Sequence, residues 1–309
     1  LVYRSMTTSK KAVVTGGAGF IGSHIADALL KEGYAVHIID NLSGGKRERV
    51  PVGATLHEVD IRNLEAITPI IAGAEVLFHL AALPRVQYSI EHPVETHEVN
   101  VNGTLNVLLA ARDGKVGRVV YSASSSAYGN QSILPLEETM LPNPLSPYGL
   151  QKYIGEQYVR VFAEVYGLPT VALRYFNVYG PRLDPDGAYA LVIGKFLKQR
   201  AEGKSMTITG DGEQTRDFTH VRDVVRANLL AATSASVGRG EVMNIGAGKN
   251  ASINRIAELI GGAVEHIPAR LEPKDTLADH SLAKRLIGWS PEVSLEEGIS
   301  ELCAEWGVR

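Results

Sequence analysis

A glycine-rich segment near the start of the chain constrains the fold more than any other feature. The apolar run Lys11–Thr15 leads directly into the sequence TGGAGFIG at 15–22, and a pattern with helical spacing follows. Gly16 allows a tight turn, Gly19 lets the backbone approach a ligand closely, and Gly22 lets the helix pack near the strand. An ordinary strand-to-helix turn would also suit such glycines. With a strand before it and a helix after it, the segment predicts a helix N-terminus that binds a pyrophosphate.

Short apolar runs alternate with helical patterns through the first half of the chain. Strands are predicted at Lys11–Thr15, Tyr34–Ile39, Thr55–Val59, Val76–Leu80 and Arg118–Ser122, and helices at Ile21–Lys31 and Val94–Ala111. In the more mixed second half, a strand is predicted at Leu168–Leu173 and helices at Tyr189–Glu202, Val221–Thr233 and Leu295–Trp306. The alternation indicates right-handed βαβ crossovers, and therefore an α/β fold with a doubly wound parallel sheet of the Rossmann type.

The length of 309 residues suits one large domain or two. Neither an internal repeat nor a low-complexity linker separates the halves. We expect residues 10–175 to form mainly the dinucleotide-binding domain. Residues 176–309 are expected to form mainly a smaller mixed α/β lobe for the substrate, with some segments returning to the first domain.

Composition narrows the classes of function. The 31 Lys and Arg residues against 34 Asp and Glu give a formal net charge of −3, which offers no electrostatic case for nucleic acid or an anionic membrane. No apolar run approaches the roughly 20 residues of a membrane span. The one cysteine, Cys303, allows no internal disulfide. Nothing therefore points to secretion, and we expect a cytoplasmic protein. The nine histidines show no zinc-ligand spacing, so we expect no metal site.

Asp40 directly follows the second predicted strand, 18 residues after Gly22. A carboxylate at this place accepts hydrogen bonds from the ribose hydroxyls and repels a 2′-phosphate, which favours NAD over NADP. Lys46, Arg47 and Arg49 follow soon afterwards and would suit NADP, although they also suit a solvated loop. Because of the Asp40 carboxylate, the sequence predicts NAD as the cofactor.

Tyr148 and Lys152 are spaced i and i+4, on one face of a predicted helix. A phenol with its ordinary pKa of about 10 is a poor base, but a neighbouring ammonium group and a bound nicotinamide cation would lower that pKa. A serine cluster, SASSS at 122–126, leaves the fifth predicted strand at its C-terminal end, where ligands of such sheets bind. Taken alone, Tyr148 and Lys152 could be a surface cation–aromatic pair, and the serine cluster could be a polar loop. Found together with the glycine turn, they predict Ser124, Tyr148 and Lys152 as catalytic groups.

Together with further motifs, these residues resemble the extended short-chain dehydrogenase/reductase superfamily. The matching strings are TGGAGFIG (15–22), DN (40–41), DI (60–61), HLAA (79–82), NVNGT (100–104), SSSAYG (124–129), SPYGLQK (146–152) and RYFNVYGPR (174–182). Within the superfamily, the chain most resembles nucleotide-sugar 4-epimerases, because SSSAYG has serines where related dehydratases have an Asp-Glu pair and decarboxylases a glutamate. RYFN, DPDGAYA, GDGEQTRDF and TLAD (276–279) resemble the branch that epimerises UDP-N-acetylhexosamines.

The resemblance implies which residues would bind the two ligands. NAD would contact Gly16, Gly19, Phe20, Ile21, Gly22, Asp40, Asn41, Asp60, Ile61, Leu80, Ala81, Ala82, Asn100, Ser122, Tyr148, Lys152 and Tyr175. The UDP-sugar would contact Arg85, Ser124, Ser125, Ser126, Tyr148, Asn177, Leu191, Val192, Thr207, Thr209, Arg216, Arg270 and Thr276. Arg216 would face the diphosphate. Arg270 adjoins Ala269, which stands where the family has a second arginine.

The function implied is NAD-dependent 4-epimerisation of UDP-hexoses through a transient 4-keto sugar, for both the UDP-GlcNAc/UDP-GalNAc and the UDP-Glc/UDP-Gal pairs. The N-acetyl substrates follow from Thr276, which replaces a bulky tyrosine beside the sugar, unless this side chain only packs beside the next helix. Alternatives on the same fold are a UDP-glucuronate 4-epimerase, in which Arg85 pairs with the carboxylate, and a 4-ketosugar reductase. A non-catalytic NAD-binding regulator is a third. By analogy with the family, a homodimer would form through Val94–Ala111 and Pro147–Tyr166.

Overall fold

A computed structural model of the chain describes residues 9–185, 192–268 and 274–308. Its strands are β1 (Lys11–Thr15), β2 (Ala35–Ile39), β3 (Thr55–His57), β4 (Val76–His79), β5 (Arg118–Ser124), β6 (Thr170–Tyr175), β7 (Val178–Tyr179), β8 (Met206–Thr209), β9 (Thr215–Asp217), β10 (Thr219–His220), β11 (Arg239–Ile245), β12 (Asn250–Ser252) and β13 (Val264–Ile267). Its helices are α1 (Phe20–Lys31), α2 (Leu64–Ile71), α3 (Val86–Glu91), α4 (Pro93–His97), α5 (Thr104–Asp113), α6 (Pro147–Tyr166), α7 (Val192–Ala201), α8 (Val221–Thr233), α9 (Ile253–Ile260), α10 (Ser281–Ile287) and α11 (Leu295–Trp306).

A seven-stranded parallel sheet forms the centre of the molecule, with strand order β11-β6-β5-β4-β1-β2-β3. The order changes direction at β1, which lies between β2 and β4 and so marks the topological switch point where ligands of open α/β sheets bind. The inner strands β4 and β6 are buried along their whole length, which explains why they appear as continuous apolar runs. The predicted Rossmann-type fold is confirmed.

Helices cover both faces of this sheet. Alternate residues of a strand face opposite sides, so Val13 and Val14 belong to different hydrophobic clusters. Val14 packs in the cluster that includes Ile25 and Leu29 of α1, whereas Val13 packs with Val107 of α5 on the other face. Hydrophobic side chains are therefore buried on both faces of the sheet.

A third cluster lies in the second half of the chain, where α7, α9 and α11 pack together. It includes Phe196, Ile208, Ile256 and Leu302, and it supports the parallel pair β8–β13. Strand β11 does not join this lobe, because it returns to the main sheet and pairs with β6. The division at residues 175 and 176 stays a prediction.

Some predicted boundaries were wrong. The helix predicted over Val94–Ala111 is interrupted by a π-helical segment, Glu98–Gly103, between α4 and α5. This segment turns Asn100 towards the backbone of Leu83 and brings Gly103 so close to Ile61 that a Cβ there would lie 2.6 Å from Cδ1. Strand β5 continues to Ser124, beyond the predicted end, because its last residues pair with the end of β6.

His79, the last residue of β4, is enclosed between two threonines. Its Nδ1 lies 2.7 Å from Thr15 Oγ1 and its Nε2 lies 2.9 Å from Thr104 Oγ1. Burial lowers the pKa of His79 to about 3, and the nearby Lys152 acts in the same direction. The ring is therefore neutral in the folded protein at every pH above that value.

We expect His79 to weaken the fold in mild acid. Below a pH of about 6.5, the imidazole of His79 binds a proton in the unfolded chain but stays neutral in the folded protein. The free energy of unfolding therefore falls by up to ~1.4 kcal/mol for each unit by which the pH is lowered. Urea unfolding of the wild type and of His79→Gln at pH 7.5 and pH 5 measures this, because the difference between the two proteins cancels all other titrating groups. His97→Gln, at an exposed helical position, is the control. Equal pH slopes in wild type and His79→Gln would show that His79 does not contribute.

Candidate active site

One cleft runs along the carboxyl edge of the sheet at the switch point. Its lining contains all three predicted catalytic residues, Ser124, Tyr148 and Lys152. Of the predicted cofactor residues, it contains Gly16, Gly19, Phe20, Ile21, Gly22, Asp40, Asn41, Asp60, Ile61, Leu80, Ala81, Ala82, Ser122, Tyr148, Lys152 and Tyr175. Residues far apart in the sequence therefore meet at one place, as the parallel strands require.

The glycine turn has no room for side chains. Gly16 has a φ of +71°, and a Cβ there would lie 2.7 Å from the backbone N of Ala81. A Cβ at Gly22 would collide with the carbonyl oxygen of Gly16. Within the described ranges no side chain caps α1 at Gly19, so the first turn of the helix presents its amide groups to the cleft. This arrangement fits the diphosphate of a dinucleotide.

Acidic side chains line the end of the cleft beside β2 and β3. The carboxylate of Asp40 accepts hydrogen bonds from the backbone N–H groups of Ala18 and Leu42, both at 2.9 Å. Burial raises the pKa of Asp40, while these two amide bonds oppose the rise. Since a carboxylate accepts up to about four hydrogen bonds, Asp40 retains acceptor capacity for two ribose hydroxyls.

Asp60 stays ionised at this end of the cleft. Arg62 donates two hydrogen bonds to its carboxylate, at 3.0 and 2.7 Å, and Asn41 donates a third at 2.9 Å. Mainly because of the bonds from Arg62, the pKa of Asp60 is lowered to about 2. The donor and acceptor groups along the cleft thus fit an adenosine with free ribose hydroxyls.

Asn100 is the one predicted cofactor residue that lies behind the cleft rather than in its lining. Its side chain accepts from the N–H of Leu83 and donates to the carbonyl oxygen of the same residue and to Gln151. Leu83 itself lines the cleft. Asn100 therefore fixes the cleft wall, and its direct contact with a cofactor stays a prediction.

Helix α6 places Tyr148 and Lys152 in the cleft. The helix begins with Pro147, and the hydroxyl of Ser146 caps it by accepting from the N–H of Gly149 at 3.1 Å. Both functional side chains are at least nine-tenths buried. Desolvation of this first turn makes any charge near Tyr148 act more strongly than it would in water.

The ammonium group of Lys152 is held in a defined position. Its Nζ donates to the carbonyl oxygen of Ser122 at 2.8 Å and lies 5.0 Å from the ring centre of Tyr121. Burial lowers the pKa of Lys152 to about 8, and the carboxylate of Glu156 opposes this shift. Lys152 therefore remains mostly charged at neutral pH.

Behind Lys152 lies a buried ion pair that sequence reasoning missed. Glu156, one turn further along α6, receives two hydrogen bonds from Arg174 of β6, at 2.9 and 2.7 Å. Both side chains are almost completely buried, and the guanidinium group also lies 4.5 Å from the ring centre of Tyr128. The pair joins the catalytic helix to the sheet.

The serine cluster turns away from β5 into a short 3₁₀ turn, Ser125–Ala127. The hydroxyl of Ser124 accepts from the backbone N–H and the hydroxyl of Ser126, at 3.2 and 2.8 Å. A hydroxyl that accepts in this way still carries a hydrogen to donate, and Ser124 lines the cleft. Ser125 and Ser126 lie beside it, half-buried.

Tyr175 is a second tyrosine in the lining of the cleft. The Ser122 hydroxyl donates to the phenol oxygen of Tyr175, which donates to Asn228 at 2.9 Å. Burial raises the pKa of Tyr175 to about 12. It is therefore a neutral hydrogen-bonding group and not a base.

Several predicted sugar-site residues meet around β9. Asn177 donates to the carbonyl oxygen of Asp217, and the N–H of Asp217 donates to the hydroxyl of Thr276. Arg216 directly precedes Asp217 in the sequence, and its guanidinium group donates to the carbonyl oxygen of Lys274 at 3.0 Å. Thr207 and Thr209 belong to β8, Val192 begins α7, and Arg85 is exposed before α3. Leu191 and Arg270 lie outside the described residues.

The centre of this group, Asp217, was not predicted. Its buried carboxylate accepts from the N–H groups of Ala247, Gly248 and Ala278, at 2.7 to 3.0 Å. Burial raises its pKa to about 6, although the three amide bonds favour the charged form. The side chain joins three separate chain segments beside the predicted sugar site. The only sequence signal was its place in the string GDGEQTRDF.

The described ranges contain no group of three or more histidine, cysteine or acidic side chains that could hold a metal ion. Nor does any helix there have both the length and the apolar character needed to cross a bilayer.

A buried tyrosine and lysine one helical turn apart, beside a dinucleotide cleft in a Rossmann sheet, are typical of the extended short-chain dehydrogenases/reductases. The sequence resemblance to that class is confirmed. The chain belongs to the NAD dependent epimerase/dehydratase family, whose model matches residues 12–246. At the level of the family, NAD as cofactor is confirmed as well.

Its relatives include UDP-sugar 4-epimerases and UDP-sugar decarboxylases. The chain is 41% identical over 299 residues to a putative UDP-glucose 4-epimerase of Methanocaldococcus jannaschii, covering 94% of this chain and 96% of the relative. The crystal structure of the Thermotoga maritima UDP-glucose 4-epimerase with UDP-glucose has a TM-score of 0.90 at 40% identity, covering 96% of this chain and 98% of that one. A UDP-N-acetylglucosamine 4-epimerase from Methanobrevibacter ruminantium, in complex with UDP-N-acetylmuramic acid, has a TM-score of 0.91 at 38% identity, covering 97% and 98%.

Proposed function

We propose that this protein interconverts UDP-GlcNAc with UDP-GalNAc, and UDP-Glc with UDP-Gal, by transient oxidation at the sugar C4 with NAD retained in the cleft. The observation that carries the proposal is the meeting of Ser124, Tyr148 and Lys152 in the cleft that also holds the glycine turn. The family and its UDP-sugar epimerase members support the same reaction class.

In this reaction Tyr148 takes the proton of the sugar 4-hydroxyl and later returns it. Ser124, with a hydrogen left to donate, holds the 4-oxygen in place beside the phenol. The ammonium of Lys152, fixed by Ser122 and Tyr121, stabilises the phenolate form that such a base needs.

NAD, when bound, supplies a reversible acceptor for the hydrogen on C4. The amide groups of the α1 N-terminus would hold its diphosphate, and Asp40 its adenosine ribose. Because the sugar is first oxidised and then reduced, no net redox change occurs.

The sugar itself would be held by the group around β9. Arg216 supplies positive charge for the diphosphate, and Asn177 and Thr276 lie within hydrogen-bond reach of Asp217, which fixes them relative to one another. Thr276 is half-buried and small, leaving more space at its side than a tyrosine would. We propose that this space admits the N-acetyl group.

Thr276→Tyr should lower kcat/KM for UDP-GlcNAc at least ~10-fold relative to that for UDP-Glc, because a steric block acts only on the larger substrate. Thr276→Val is the matched control. It loses the hydroxyl that accepts from Asp217 but keeps the space, so it should retain the substrate ratio of the wild type. If Thr276→Tyr lowers kcat/KM equally for both substrates, Thr276 does not border the N-acetyl group.

A turnover assay with UDP-Glc, UDP-GlcNAc and UDP-glucuronate tests the proposed function as a whole. Conversion of the first two without added NADH is expected. Turnover of UDP-glucuronate alone would replace the proposal by a uronate 4-epimerase, and no turnover despite bound NAD would indicate a regulator.

We also propose that the protein forms a homodimer. Helices α3 and α4 lie against α6, and the three helices carry several large, exposed apolar side chains: Val86, Ile90, Val94, Leu150, Val161 and Val165. Exposed apolar patches of this kind mark protein interfaces.

A further inference from the structure

Residues 181–184, which we call the strap, cross from the second half of the chain onto helix α1. The carbonyl oxygen of Pro181 lies 2.9 Å from Nε2 of His24, and Arg182 forms an ion pair with Asp27 at 2.6 Å. The side chain of Leu183 is buried in the same cluster as Ile25 of α1. The strap is therefore fixed to the helix whose N-terminus lines the cleft.

At its other end, the strap reaches the loop that follows Asp40. Asp184 lines the cleft, and its Oδ2 lies 2.8 Å from Lys46 Nζ and 3.5 Å from Arg49 Nη2. Both Asp184 and Arg49 are less than one-fifth exposed, which makes this contact stronger than an ordinary surface ion pair. The backbone N–H of Lys46 also donates to the carbonyl oxygen of Ala18 in the glycine turn.

This ion pair lies close to the group that selects the cofactor. A Cβ on Gly45, the residue before Lys46, would lie 2.8 Å from a carboxylate oxygen of Asp40. Arg49, Asp184 and Asp40 line the same cleft. Arg49 therefore lies in the cleft lining with Asp40, Lys46 lies next to Gly45 in the same loop, and both cations are bound by a carboxylate from the other half of the chain.

Arg47, the third cation of this loop, pairs with Glu58, but both side chains are more than half exposed. Such a pair contributes little and is screened by salt. Of the three cations, Arg49 lines the cleft and Arg47 does not, so the cation that faces the cleft is one that Asp184 binds.

We propose that Asp184 is a second determinant of cofactor choice, which enforces NAD over NADP by holding Lys46 and Arg49 away from the ribose 2′ position. Asp40 repels a 2′-phosphate, and Asp184 withdraws the positive charge that would attract one. The proposal rests on the NAD site proposed above but not on the identity of the sugar.

The test is a competition for the cleft. Purified protein is equilibrated with equal concentrations of NAD and NADP, separated from free nucleotide, and the two recovered nucleotides are quantified. We expect Asp184→Asn to raise the recovered NADP:NAD ratio at least ~10-fold, because charge-assisted bonds to a phosphate become available. Adding Lys46→Ala and Arg49→Ala to Asp184→Asn should return the ratio to that of the wild type.

Two controls distinguish the release of Lys46 and Arg49 from a weaker attachment of the strap to helix α1. Asp27→Asn breaks the ion pair at the other end without freeing either cation, so its ratio should stay at the wild-type value. In the wild-type background, Lys46→Ala with Arg49→Ala should not raise the ratio, since it removes the cations that would bind a 2′-phosphate and leaves the Asp184 carboxylate in the cleft. A wild-type ratio in Asp184→Asn, or an equal shift in Asp27→Asn, would overturn the proposal. If the wild type retained neither nucleotide, the NAD site itself would be wrong.

Discussion

Replacing Tyr148 with phenylalanine is expected to lower kcat for UDP-Glc at least ~100-fold, the usual scale for a positioned acid–base group. The ring still fills its buried place in the first turn of α6, so the cleft keeps its shape. Retention of NAD and the Kd of the UDP-sugar should therefore change little. Steady-state kinetics with calorimetry of sugar binding separates the two effects.

A matched substitution on the same helix shows whether loss of a phenol oxygen matters in itself. Tyr166 is the last residue of α6 and is half-exposed. Tyr166→Phe should leave kcat within about a factor of two of the wild type. If Tyr148→Phe kept near-normal kcat, another group would have to move the proton, and the proposed mechanism would fail.

Glu156→Gln should lower the free energy of unfolding by about 3–5 kcal/mol, because it leaves the buried guanidinium of Arg174 without its counter-charge. Denaturant unfolding of the whole chain measures the loss. Glu164→Gln is the control on the same helix, since its ion pair with Arg160 is about half exposed and its loss should cost ~0.5 kcal/mol or less. If both variants lost equally little, water would have to reach Arg174.

Glu156→Gln should also change the pH dependence of kcat, which a purely structural role of Glu156 would not produce. Glu156 raises the pKa of Lys152 against the effect of burial. Without that carboxylate, Lys152 should lose its proton at a lower pH, and the alkaline decline of kcat should move in the same direction. The double variant Glu156→Gln/Arg174→Met should recover part of the stability but not the pH profile.

Local patterns were enough to predict the glycine turn and the sheet. Gly16, Gly19 and Gly22 are neighbours in the sequence as well as in space, and the inner strands are apolar because they are buried on both faces. Other residues of the cleft, such as Asp60 and Ala81, were predicted from the family resemblance. They meet at one edge because parallel strands bring their carboxyl ends together there.

Other parts of the site depend on partners that no local pattern shows. Asp217 meets amide groups 30, 31 and 61 positions away, and Asp184 pairs with cations more than 130 residues earlier. Asn100 has a polar side chain that suits ligand binding, but the π-helical segment directs this side chain to the backbone of Leu83. These contacts arise from tertiary packing, so the sequence could suggest a role for such residues without indicating which atoms they contact.

The return of β11 to the main sheet has a consequence for how the chain acquires its structure during synthesis. Strand β6 is buried throughout and has β5 on one side only until residues 239–245 emerge to cover the other. In a ribosome-bound chain that ends near residue 175, β6 would be an unpaired edge strand. The apolar surface that α8 and β11 cover in the complete fold would be exposed, and exposed edges of this kind promote aggregation. The main sheet is therefore complete only when β11 has been synthesised, after β7 to β10, so residues 9–175 alone lack a strand of the sheet to which they belong.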